Sequence, residues 1–187
     1  KVIRKIMRSA RGNAQFSVAA GKPGKWSYEY RGVKESVTEE NIISAITWET
    51  NLAPILQNAN FLFGTYVGQL MDLNLDFGNK LTPDEDANAA MGIKTFTFIR
   101  EPKIEMSLRL VSLSTFNFDA DWFAAAKNKL DFTLGTTEGH KFRFYGPKLQ
   151  IDNKEEEDKD GFQWAKLSCT PTALLGLPNS EFSLLVL

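Results

Sequence analysis

Little in this chain is equipped for covalent chemistry. Its 187 residues include one histidine, His140, and one cysteine, Cys169. A Ser-His triad or a histidine-rich zinc site would have to be built around that single imidazole. A lone cysteine excludes an internal disulfide framework, and without a histidine signal beside it Cys169 reads as a small buried hydrophobe. The patterns G-x-S-x-G, H-E-x-x-H and G-x-x-x-x-G-K-[ST] do not occur. No apolar run approaches the roughly 18 residues of a membrane-spanning helix, and no secretory signal pattern is visible. Charge of one sign is lacking too. Lys and Arg number 22 against 23 Asp and Glu, and a net charge of −1 gives no general attraction to nucleic acid or acidic lipid. Acids are plentiful enough for a glycosidase-like carboxylate pair. They fall mostly in predicted loops or on the polar faces of predicted strands, so the chain reads as a non-enzyme with no cofactor and no metal.

What is present is alternation. A hydrophobic content of 43% can fill the core of a single β-rich domain over 1–187. The organising stretch is Asp119–Ile151. Trp122, Phe123 and Ala126 recur at helical spacing within Asp119–Lys129, with Asp119 available as a cap. Leu130, Phe132 and Leu134 then alternate with Asp131 and Thr133, Gly135 to Gly139 turns the chain, and Phe142 and Phe144 return. Phe16 and Val18 precede the turn Gly21-Lys22-Pro23-Gly24, and Trp26, Tyr28 and Tyr30 follow it, which predicts a hairpin. That aromatic row could stack bases or sugars, but it fits a core face better. Ser36–Trp48 reads as a short helix or an extended excursion. Met71, Leu73, Leu75 and Phe77 alternate with Asp72, Asn74 and Asp76, the clearest strand of all. Phe96–Phe98 and Met106–Leu110 predict two neighbouring antiparallel strands, and Phe182–Leu187 a closing one.

The charges are segregated. Lys1–Arg11, a basic arm or first strand, carries Arg4, Lys5 and Arg8 and no acid. Lys80–Gly92 reads as a loop with Asp84, Glu85 and Asp86. Asp152–Asp160 reads as a charged loop with Glu155, Glu156, Glu157 and Asp158. Its end resembles a calcium loop, but the position that needs a bidentate Glu holds Leu167. Opposite charges at separate places suit head-to-tail contacts between copies. Those ten residues are therefore the candidate inter-subunit contacts.

Three stretches carry a resemblance. The first is Arg11-Gly12 with Gly21–Gly32. The second is Asp76-Phe77-Gly78-Asn79 with Asp86–Gly92 and Arg100-Glu101-Pro102. The third is Asp121-Trp122, the hairpin after it, Pro147-Lys148 and Asp160-Gly161. In order and spacing they resemble a tail tube protein family of long-tailed bacteriophages, over most of Arg11–Gly161. The resemblance implies an antiparallel β-sandwich or barrel-like fold with one flanking helix and long loops. It implies a virion structural protein, assembled in the host cytoplasm, that self-associates into hexameric rings. The rings would stack into a tube with other tail proteins, and DNA would pass without specific binding. Family members usually carry more sequence before the first motif, so an N-terminal segment is expected to be missing here. The resemblance does not separate a main tube subunit from an initiator or tail-end protein. A conduit wall should not grip DNA, which makes Asp72, Asn74 and Asp76 the candidate lumen face. The rival reading is a β-sandwich module binding carbohydrate or protein through Trp26, Tyr28, Trp48 or Trp164, and a glycoside hydrolase is third.

Overall fold

The computed structural model describes residues 1–41, 53–177 and 180–187. Eleven strands are present among them: β1 (Val2–Ala19), β2 (Lys25–Glu40), β3 (Leu62–Phe63), β4 (Leu70–Asp76), β5 (Asn79–Glu85), β6 (Ile93–Arg100), β7 (Lys103–Arg109), β8 (Lys127–Leu134), β9 (Phe142–Lys159), β10 (Phe162–Pro171) and β11 (Ser183–Val186). One short helix, α1 (Phe118–Phe123), and one 3-10 turn at Ala90–Gly92 complete the set. The fold is mainly β, with antiparallel sheets, as the alternation predicts.

Nine strands form one sheet in the order β2-β1-β4-β7-β10-β9-β8-β3, with β11 also on β9, while β5 and β6 form a separate two-stranded ribbon. Chain contacts divide the protein into two compact units. The larger comprises Gln15–Trp26, Ala53–Asp76 and Pro102–Leu187. Its core follows from period-two alternation: Leu73 and Leu75 on β4, Ile104, Met106 and Leu108 on β7, and Ala165, Leu167 and Cys169 on β10 are each 2% exposed or less. Beside them Phe63, Tyr66, Phe116 and Phe118 make edge-on or tilted ring contacts at centroid distances of 4.8–6.3 Å. Phe132 and Phe144, paired across β8 and β9, stack at 5.4 Å. The predicted hairpin is thus borne out, and Gly135 and Gly139 hold φ of 89° and 81° in its turn. Cys169 is buried as expected, and burial pushes its thiol far above the usual range.

Several expectations need correction. The helix spans six residues, not Asp119–Lys129. Its cap is Asn117, whose Oδ1 accepts the Ala120 N–H at 3.0 Å. Ala125 turns left-handed (φ 49°), and the chain leaves as β8. The stretch Asp152–Asp160 is not a loop: its residues to Lys159 extend the 18-residue strand β9, paired with β10 as far as Lys159 opposite Phe162. Asp160 and Gly161 form the two-residue turn with φ of 55° and 77°, the dihedral signs of a type I′ hairpin. Asp84 and Glu85 likewise lie on β5 rather than in a loop. β6 and β7 are not neighbours, since β6 pairs β5, and β7 pairs β4 and β10. Ser36–Glu40 is strand, Asn41 follows it outside any element, and residues 42–48 of the Ser36–Trp48 expectation lie outside the described residues.

The smaller unit, Lys1–Ala14, Ser27–Leu52 and Phe77–Glu101, is built differently. Among its described residues the only fully buried hydrophobic side chain is Val33. Its ribbons are tied by Asn79, whose Nδ2 donates to the Gly12 carbonyl at 2.9 Å and whose N–H donates to Asn13 Oδ1 at 3.0 Å. Gly12 must stay bare, because a Cβ there would lie 2.6 Å from the Glu29 carbonyl oxygen and from the Tyr30 ring.

The two kinds of burial predict different sensitivities. Leu108→Ala, at a fully buried position, should lower the unfolding free energy by about 2–5 kcal/mol. Leu184→Ala, on a strand whose leucines are 40–44% exposed, should change it by less than about 1 kcal/mol. Urea unfolding midpoints of the two variants check this.

Candidate assembly surfaces

The row Asp72, Asn74 and Asp76 lies on the opposite face of β4 from Leu73 and Leu75, as the alternation requires. Register places it in a wider polar face. Asp76 sits between Gln15 and Lys103, Asn74 between Ser17 and Glu105, and Asp72 between Ala19 and Ser107. The rows run on through Ser168 and Asn153, and through Lys166 and Glu155. Side chains close across the strands, where Gln15 Nε2 donates to Asp76 at 2.8 Å and Ser107 Oγ to Asp72 at 3.0 Å, and along β7, where Lys103 meets Glu105 at 3.3 Å. Acids and bases alternate, so the face is polar without being basic. A hollow of about 160 Å³ opens on it between Lys103, Glu105, Asn153, Glu155 and Lys166. Only the β4 row was legible in the sequence, because a row crossing several strands is set by register and not by local spacing.

The candidate contact residues lie apart. Arg4, Lys5 and Arg8 are exposed on β1. Arg4 pairs with Glu40 at 2.7 Å and Lys1 with Glu39 at 3.3 Å. Lys5, Arg8 and Lys34 form no ion pair among the described residues. Beside them Val2, Ile3, Met7 and Val37 are 45–66% exposed. A groove of about 340 Å³ is lined by Lys5, Ile6, Met7, Gly32, Lys34 and Val37. Asp84 and Glu85 are exposed on β5, while Asp86 is half-buried and its Oδ1 accepts the Asn88 N–H at 2.9 Å, which gives it a local structural task. Glu155, Glu156, Glu157 and Asp158 are all exposed near the tip of the β9–β10 hairpin. Asp158 accepts from the Gly161 N–H at 3.3 Å and from Gln163 at 2.8 Å and so braces the turn.

The aromatic row divides. Trp26 is half-buried against Phe16, with ring centroids 4.9 Å apart, but Tyr28 and Tyr30 are 55% and 60% exposed and stacked at 6.2 Å. The expectation of a core face therefore fails for the tyrosines, which belong to the smaller unit and not to the larger unit's core. Trp164 is half-buried, with an Nε1 that has no hydrogen-bond partner among the described residues, and Trp48 lies outside them.

Perturbed charges hold the scaffold together. Arg143 binds Asp131 through two hydrogen bonds, 2.9 and 2.6 Å, and holds its carboxyl below the usual range despite partial burial. Burial disfavours the Lys154 ammonium, but its bonds to Asp119 at 2.7 Å and Glu156 at 2.8 Å outweigh this and raise its pKa. Lys154 and the Trp122 indole, which donates to the Asp152 carbonyl at 3.1 Å, fasten α1 to β9. Among the described residues no cluster of three or more His, Cys, Asp or Glu is placed to hold a metal. Among them, too, no helix is long and apolar enough to cross a membrane.

The sequence matches no known family model, and no curated protein is significantly similar to it.

Two outcomes follow from these charges. A lowered Asp131 pKa contributes stability that is present above the unfolded carboxylate value and is lost as pH falls through the folded one. Asp131→Asn should therefore flatten the acid side of a stability-against-pH curve below about pH 4, and leave its alkaline side unchanged. Lys154→Met leaves behind carboxylates that are 42% and 55% exposed and can rehydrate. Its cost should thus be about 1 kcal/mol rather than the roughly 3–5 of a stranded buried charge, measured by chemical denaturation.

Proposed function

We propose that the chain is a structural subunit that acts by self-association, as a ring-forming component of a phage tail tube. The observation that carries this reading is the smaller unit. It exposes Met7, Tyr28, Tyr30, Val37, Phe98 and Ile99 at 47–65%, while Val33 is its only fully buried hydrophobe among the described residues. Two-stranded ribbons are marginal in water, and long exposed strand edges are templates for pairing. Strand β2, 16 residues long, stands at the end of the nine-stranded sheet. Joining such edges between copies would complete both the hydrogen bonding and the apolar burial. The tube form comes from the resemblance in motif order. The mixed-sign face around Asp72, Asn74 and Asp76 suits an inner wall that lets DNA slide, since it has no row of cations to release counterions from phosphates.

A second reading rests on the exposed Tyr28–Tyr30 pair, which could stack on a sugar or a partner's side chain in a binding module. Light scattering with negative-stain imaging across a range of protein concentration separates the two. Rings or tubes that grow with concentration support the subunit reading, with Asp72, Asn74 and Asp76 lining the lumen in a reconstruction. A persistent monomer whose tyrosine and tryptophan emission responds to oligosaccharides would replace it with the binding module.

A further inference from the structure

The groove on the β1–β2 ribbon and the tip of the β9–β10 hairpin are complementary in chemistry. The groove has an apolar floor of Ile6, Met7 and Val37, flanked by Lys5 and Lys34, which no acid neutralises among the described residues. The ribbon's other bases, Lys1, Arg4 and Arg31, are already paired with Glu39, Glu40 and Glu29. The hairpin tip between Glu155 and Gln163 carries five acids and one lysine. Glu157 and Asp160 make no ion pair among the described residues, and Phe162 offers a ring that is 46% exposed. The tip is also pre-shaped. Its turn has the dihedral signs of type I′, Asp158 bonds across it, and its strands pair in one register back to Leu167 and Asn153, with Ile151 beyond a bulge in the core. A rigid acidic hairpin loses little conformational entropy on docking.

We infer that the β9–β10 hairpin tip of one copy docks in the basic, apolar-floored groove of the β1–β2 ribbon of a second copy. Lys5 and Lys34 would meet Glu155 and Glu157, and Phe162 would cover the apolar floor. The contact is heterologous, with each copy offering one tip and one groove, so it propagates into a ring or a filament. This inference rests on the self-association reading and names the surfaces that would produce it.

The test is a charge swap. One variant carries Lys5→Glu and Lys34→Glu, the other Glu155→Lys and Glu157→Lys, and thermal unfolding confirms that each remains folded. Either alone places like charges together, and should weaken association by more than about tenfold in sedimentation velocity at low salt. Mixed in equal amounts, each finds opposite charge on the other, and association should return to within a few-fold of the wild type. If Glu155→Lys, which sets a second ammonium opposite Lys166, disturbs the sheet, Glu157→Lys with Asp160→Asn serves as the tip variant, since Asn accepts the left-handed backbone there. Wild-type assembly that neither variant weakens, or a loss that mixing fails to restore, overturns the docking while leaving self-association standing. A wild type that stays monomeric at every concentration overturns both.

Discussion

Period-two alternation across three neighbouring strands is the constraint on which the rest of the larger unit depends. β4, β7 and β10 lie side by side and keep one face dry: Leu73, Leu75, Ile104, Met106, Leu108, Leu167 and Cys169 have almost no solvent contact. A slip of one residue in β7 would turn Lys103 and Glu105 into that core and Met106 out of it, so register is fixed by several buried side chains at once. Hydrogen bonding alone would allow the slip; burial does not. With register fixed, the mixed polar face on the other side follows with no further instruction. Asp72 comes to lie beside Ser107, and Asp76 between Gln15 and Lys103, because their neighbours are held. The acidic hairpin follows as well. β9 and β10 are anchored at Ile151 and Leu167 and simply continue outward, so the tip inherits its direction from the core.

The smaller unit lacks such a constraint. Its described residues are held by pairing, by the Asn79 bonds to Gly12 and Asn13, by the Arg11 guanidinium 5.5 Å over the Phe98 ring, and by exposed ion pairs. Exposed pairs are worth about 0–1 kcal/mol each, and a cation over an exposed ring about the same. Against these stand side chains such as Ile3, Ile99 and Met91, 65–71% exposed, whose transfer from water is worth about 1.5–3 kcal/mol apiece when complete. Covering a few of them would outweigh all the exposed pairs together. For this unit, further apolar burial is thus the largest stabilising term still unused.

What the sequence disclosed, and what it did not, follows the same division. The β4 strand, the β8–β9 hairpin and the buried Cys169 were legible because each has one dry face, which leaves a local pattern. The length of α1 was not, because Trp122, Phe123 and Ala126 continue a helical spacing that the backbone leaves at Ala125, and nothing local marks a left-handed alanine. The solvated strands failed most. Asp84–Glu85 and Asp152–Lys159 bury no hydrophobic side chain, so their composition reads as loop, although Asp160-Gly161 was a usable hairpin signal. Tyr28 and Tyr30 failed in the opposite sense: their spacing matches a core face, but whether a face is covered depends on the surrounding fold, and these two lie in the thinly packed smaller unit. Of the candidate contacts, exposure was predictable from charge at every position but Asp86. The hairpin that carries Glu155 and Glu157, and the groove flanked by Lys5 and Lys34, required the strand pairing.

If the chain is the self-associating subunit proposed above, its distribution of charge bears on how an inert polar face and a docking surface can coexist. On the polar face acids and bases alternate across strands, so their fields cancel within a few ångströms, less than the roughly 8 Å screening length of physiological salt. A passing polyanion would meet no sustained attraction or repulsion there. At the groove and the hairpin tip the balance shifts to one sign instead: Lys5, Arg8 and Lys34 stand at the one, and five acids against Lys159 at the other, although Glu35, Glu39 and Glu40 remain on the same ribbon as the groove. Separated charge acts beyond contact distance and can orient two copies before they touch, which a balanced face cannot do. The subunit proposed above, which would bind its own copies in one orientation while leaving a shared inner surface inert, would use both arrangements.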